Sequence, residues 1–223
     1  FISEHGAPGA RGLRAYSGGG VSWSPDGASV AFAKSEGTGQ GNSLIIKNVA
    51  TGEERRFDHP SRLGGWQVRW SRDGASILVV IRGEGPPSCA CSRSFSLHIF
   101  DVRSGQFRQI PGADGRVRAT VADFSPDGKT IYVASRPAGG AAGEAFTELV
   151  SVDMATGAER KLADLGALGH SGDFLGGIPP AIAVSPDGQH VAVQVLFARN
   201  PPVVTARLAL VATDGSGSRV LAG

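Results

Sequence analysis

The chain has 223 residues, enough for one large domain or two small ones, and long enough to bury roughly 70% of the surface its extended form exposes. With 41% hydrophobic and 19% charged residues it is neither disordered nor membrane-spanning, since no stretch approaches the roughly 20 apolar residues of a transmembrane helix. A net charge of +2 with no Lys/Arg run leaves a nucleic-acid-binding face unsupported.

Glycine (33) and proline (13) fall between apolar runs rather than in low-complexity blocks, which is the punctuation of many short strands and tight turns. The chain opens on Phe1 rather than Met, so a processed or trimmed start is expected. Near that start, Arg14 and Tyr16 stand as an arginine and an apolar residue do at the close of a pattern that then recurs four times. Residues 1–17 are therefore expected to be the tail strand of a preceding unit.

The recurring pattern has two parts. The first reads WSPDGASVAF from Trp23, WSRDGASILV from Trp70, FSPDGKTIYV from Phe124 and VSPDGQHVAV from Val184. The second reads LIIKNVATGEERRF from Leu44, LHIFDVRSGQFRQI from Leu97, LVSVDMATGAERKL from Leu149 and LALVATDGSGSRVL from Leu208. Each second part spans fourteen residues and carries arginine at its twelfth place: Arg55, Arg108, Arg160 and Arg219.

Physically, each repeat is two hairpins. In Ser-Pro-Asp-Gly, proline presets φ, the Ser and Asp side chains cap nearby backbone N–H groups, and glycine accepts left-handed geometry. Arg72 replaces the proline in the second repeat, which loses rigidity but keeps the turn. Ala-Thr-Gly, Arg-Ser-Gly and, in the last repeat, Asp214-Gly215 close the second hairpin. Apolar residues recur every second position or run continuously, as from Ile77 to Ile81, and no helical period is sustained. The expected strands of the first repeat are about 21–24, 29–34, 44–49 and 53–57, with equivalents later.

This signature resembles the TolB-like β-propeller repeat, a relative of WD-type repeats, over about residues 20–222. The resemblance implies an all-β fold of four four-stranded antiparallel blades, at about 20–57, 66–110, 119–162 and 180–222, within a propeller region of 18–223. The turn serines are 47, 54 and 60 residues apart, above the roughly 40–45 of a WD-type blade, so particular loops are long. Closed propellers usually have about six to eight blades, and four in an open arc would leave two apolar faces in water. The chain is accordingly expected to be an arc of a larger propeller, with a small or distorted ring, or a ring completed by two copies, as the other outcomes.

In such blades the a–b and c–d turns share one end, and the b–c and d–a connections share the other. The second end holds the long segments 37–43, 83–94, 137–145, 58–66 and 163–180, and variable loops on a repetitive scaffold are where binding concentrates. Candidate binding residues there are Trp66, Arg82, Arg93, Arg136, His170, Asp173 and Arg199, with Phe174 expected to tuck its own loop onto the blades. Two residues before each turn serine, the channel-facing positions read Ser22, Arg69, Asp123 and Ala183, and Arg69 with Asp123 is a candidate ion pair.

No catalytic constellation is found. Gly169-His170-Ser171-Gly172 lacks nucleophile-elbow spacing, and no phosphate loop, H-E-x-x-H or EF-hand loop occurs. The five histidines are scattered, with His98 and His190 expected on blade surfaces, and strand a offers none for a channel metal, so neither metal nor cofactor is expected. Cys89 and Cys91, one residue apart, stay open between loop thiols, a strained bridge and an incomplete metal pair. The reading is a non-catalytic, extracytoplasmic module that recognises a protein, peptide or glycan, with self-association through open blade faces as a further option. The alternative is the amino-terminal gating propeller of a prolyl-oligopeptidase-type serine peptidase whose catalytic domain lies outside this chain. A weaker third option is a sensor domain outside a transmembrane segment.

Overall fold

The computed structural model describes residues 20–36, 40–59, 67–82, 95–110, 121–135, 147–168, 181–199 and 203–222. These form sixteen strands: β1 (Val21–Trp23), β2 (Ser29–Glu36), β3 (Gln40–Asn48), β4 (Glu54–Asp58), β5 (Gln67–Trp70), β6 (Ser76–Arg82), β7 (Phe95–Asp101) and β8 (Gln106–Gln109) make the first two sheets. Then come β9 (Val121–Phe124), β10 (Thr130–Ser135), β11 (Glu148–Asp153), β12 (Glu159–Asp164), β13 (Ala181–Val184), β14 (His190–Arg199), β15 (Val203–Ala212) and β16 (Ser218–Ala222). A single 3-10 turn, Gly166–Leu168, is the one helical element among the described residues.

Every sheet is a four-stranded antiparallel meander in chain order, which makes four blades of the expected type. The register repeats as well: Val21 pairs with Phe32, Val68 with Val79, Ala122 with Val133 and Ile182 with Val193. Two blades depart from the expected boundaries. The stretch 37–43 was expected as loop, but β3 begins at Gln40, and β14 and β15 extend the last hairpin to Arg199 and Val203.

The apolar runs that lack clean alternation find their reason in the packing. In β6, Ile77 and Val79 point into a core shared with the first blade, and Leu78 between them points into a core shared with the third. In β10, Ile131 and Val133 face the second blade, whereas Tyr132 and Ala134 face the fourth. A sheet covered on both faces buries consecutive residues, so the sequence reads as a continuous apolar run. Adjacent blades approach most closely through β1 and β5, β5 and β9, and β9 and β13, so the first strands of the blades converge on one axis.

Three cores join the four blades in succession, and no core among the described residues joins the fourth to the first. Among the described residues, the large apolar side chains left exposed are Val21, Trp23 and Val49 in the first blade and Leu208, Val220 and Leu221 in the last.

Candidate functional site

The four turns that follow the first strands are built alike. Ser24 Oγ donates to Asp26 Oδ1 at 2.6 Å, accepts from Ser29 N at 2.9 Å, and Asp26 Oδ1 also accepts from Ala28 N at 3.0 Å. The same Ser–Asp bond is 2.6 Å at Ser71–Asp73, 2.6 Å at Ser125–Asp127 and 2.5 Å at Ser185–Asp187. Each closing glycine has a φ near +70°, which a residue with a Cβ rarely adopts (Gly27, Gly74, Gly128, Gly188). The serine hydroxyl, and then a backbone N–H, hold all four Asp carboxyls below their ordinary range. One oxygen of each carboxylate is thus engaged within its own turn.

Links between neighbouring blades occupy further side chains at the same end. Pro25 packs beside Gly74 and Pro126 beside Gly188, where a Cβ on Gly188 would lie only 2.9 Å from the Pro126 ring. The second blade has Arg72 in place of proline, and a Cβ on Gly128 would meet nothing within 4 Å. Arg72 instead reaches past the third blade, donating to Pro186 O at 2.8 Å and Ser185 O at 3.3 Å in the fourth. Two of the twelfth-place arginines act similarly on the outer strand, whereas Arg55 lies over Phe57 of its own blade. Arg160 donates to Asp214 O (2.7 Å) and Thr213 O (2.5 Å) of the next blade, and Arg108 to Met154 O (3.5 Å). The sequence showed this periodicity without its purpose, because the acceptors are backbone carbonyls that no residue identity announces.

Along the channel, Ser22 Oγ accepts from Trp70 N of the next blade at 2.9 Å, and Asp123 Oδ2 accepts from Val184 N of the next at 3.0 Å. Arg69 stands at the same place in the second blade, but a guanidinium only donates. The N–H it would have served, that of Phe124, is taken by Asp123 Oδ1 at 3.0 Å. Asp123 thus directs both carboxylate oxygens at backbone N–H groups, and the ion pairs found among the described residues do not include one with Arg69.

At the opposite end, Arg82 closes β6 and Arg199 closes β14, which places both beside b–c connections. Trp66, Arg93, Arg136, His170, Asp173 and Phe174 lie outside the described residues, as do Cys89 and Cys91. Below this end, Asp58 accepts from Ser43 Oγ at 2.6 Å and from Arg56 Nε at 2.8 Å, and these two bonds depress its carboxyl in that order of size.

His98 departs from expectation: it is buried between the first two blades rather than on a blade surface. Its Nδ1 lies 3.3 Å from Nε2 of His59, also buried, and the rings meet edge to face, with Phe107 packed against His59. Partners 39 residues apart, one just beyond a strand end, give no sequence signal. No cluster of three or more His, Cys, Asp or Glu able to hold a metal occurs among the described residues. No helix there is long and apolar enough to cross a membrane.

No protein-family model matches the chain, and no curated protein matches it either. Solved structures do. TolB from Acinetobacter baumannii aligns with a TM-score of 0.64 at 20% identity, over 92% of this chain and 43% of that one. The arrangement is a β-propeller. An oligogalacturonate lyase in complex with manganese follows at TM-score 0.62 and 15% identity, over 92% of this propeller and 52% of that chain. The tricorn protease aligns at 0.60 and 9% identity, over 91% of this chain and 22% of that one. The four blades thus span about half or less of the length of these structures, and at such identities the likeness concerns the fold.

Proposed function

We propose that this propeller is a binding module that recognises a protein, peptide or glycan through the end carrying its b–c and d–a connections, in an extracytoplasmic setting. The observation that carries this reading is the contrast between the two ends. At the tight-turn end the Ser and Asp side chains are hydrogen-bonded within their own turns, Arg72 bonds the fourth blade, and Arg160 bonds the blade next to its own. Arg82 and Arg199 stand at the other end, next to the segments where Trp66, Arg93, Arg136, His170 and Asp173 fall. An aromatic and several guanidinium groups on loops of a rigid scaffold suit peptide carboxylates and sugar rings.

The test is capture of candidate peptides and oligosaccharides by immobilised wild-type chain and by Trp66→Ala, Arg82→Ala and Arg199→Ala. Loss of capture by about tenfold with an unchanged thermal transition is expected for at least one variant. Undiminished capture by all three would remove the loop end as the site.

A further inference from the structure

We propose that His59 and His98 form an acid-sensitive joint between the first and second blades: the folded chain closes the pair over one bridging proton, and full protonation of both rings forces it apart. Both side chains are buried, and His59 Nε2 stands 3.3 Å from His98 Nδ1. A neutral imidazole has one donor and one acceptor nitrogen, so at this separation one N–H serves the lone pair of the other ring. One added proton leaves that bond in place, because it settles on an outer nitrogen while the bridging N–H remains. With two added protons both facing nitrogens become donors, and two cations share a buried junction. The rings belong to different blades, since His98 lies in β7 and His59 follows the end of β4. Their separation therefore acts on the seam between blades rather than within one sheet.

The walls of the seam do not favour a second cation. From His59 outward, the rings of Phe107, Phe100 and Phe57 pack in turn, with centroids 4.9, 4.9 and 4.6 Å apart. On the first blade, Leu44 pairs with Phe57 and Ile46 with Arg55, which turns this side of β4 toward the second blade. Arg55 is itself a cation, 5.0 Å over the Phe57 ring, and Glu53 lies beyond it in the turn. Asp58, next to His59 in the chain, is on the opposite face, where Ser43 and Arg56 donate to it. Lys34 of β2 pairs with Ser43 on that same opposite face. On the second blade the ladder partners of His98 are the neutral Val79 and Gln109. Asp101 and Arg108 alternate onto its other face, and Arg69 pairs with Leu78 of the next core. The unfolded chain takes one proton on each histidine below about pH 6.5, whereas the folded seam takes one for both. The unfolded state therefore binds more protons in acid, and stability falls as pH falls.

Urea unfolding of the full chain between about pH 8 and about pH 5 tests it. Below about pH 6.5 the unfolding constant of the wild type is expected to rise more steeply than that of His98→Asn, by a margin approaching about tenfold per pH unit. Asparagine keeps an acceptor near the place of Nδ1, so His59 can take its proton in the folded variant as it does in the unfolded one. Equal pH slopes in the two proteins would overturn the inference. Imidazole nitrogen NMR of the folded wild type gives an answer that needs no variant. At about pH 5.5 two of the five histidines should share a single added proton, and full protonation of all five in the folded chain would overturn the inference. Hydrogen exchange places the effect. Referred to intrinsic rates, exchange in β1 to β4 should quicken from about pH 7.5 to about pH 5.5 more than in β13 to β16, and equal quickening would argue against this seam. No ligand enters these measurements, so the loop-end reading stands or falls separately.

Discussion

The serine of each turn does more than its small size suggests. Ser71 is buried, donates its one hydroxyl proton to Asp73 at 2.6 Å with Ser76 O also within 2.9 Å, and accepts from Ser76 N at 2.9 Å. Replacing it by alanine takes the hydroxyl acceptor from the part-buried Ser76 N–H, while Ser76 O keeps the Ser71 N–H at 2.8 Å, so Ser71→Ala should lower stability by about 1 kcal/mol in urea unfolding. The paired aspartates set a pH dependence of definite sign. Their folded carboxyls titrate below the ordinary value of 3.8, so their contribution is complete above that pH and is lost as pH falls through the lower folded values. Thermal midpoints should therefore fall as pH drops below about 4, and less so in Asp73→Asn than in the wild type. An unchanged acid slope in that variant would refute the assignment.

At the scale of the element, the third blade is held to the fourth by an apolar face, a channel-side acceptor and an outer arginine, and these ties can be cut one at a time. Arg160→Ala removes the bonds to Thr213 and Asp214 while leaving the core between the third and fourth blades intact. Hydrogen exchange should then quicken in β13 to β16 with β1 to β4 unaffected, and equal acceleration in both blades would argue against a local tie. The second blade shows how a departure from the repeat is absorbed. Arg72 forgoes the proline packing seen at Gly74 and Gly188, and its guanidinium bonds the fourth blade instead. At the channel, Asp123 serves the N–H that Arg69 cannot.

Over the whole molecule, stability is distributed as in other stacked repeats, where each unit leans on its neighbours. The second and third blades are covered on both faces, and the first and fourth on one. Amide exchange should accordingly be slowest in β6 and β10 and fastest in β1 and β16, with uniform protection across all four blades arguing for a closed ring in solution. Length also bears on function at this scale. The four blades align with 43% of a TolB structure, and among the described residues no core joins the fourth blade to the first.

The sequence alone determined the blades, because turn chemistry is local: Ser, Pro, Asp and Gly carry their geometry with them, and alternation in the strands follows from the pleat. The strand ends were less legible, as at Gln40, since pairing across a hairpin extends a strand wherever its partner continues. The residues proposed to bind at the loop end rest on the sequence alone, and of them Arg82 and Arg199 fall at strand termini. Only the tertiary structure decided what the non-local partners are. The His59–His98 contact, the carbonyls that receive Arg160, and Asp123 bridging to Val184 all join residues dozens of positions apart. Their acceptors are backbone groups or rings whose position depends on how whole sheets stack, and no local pattern encodes that.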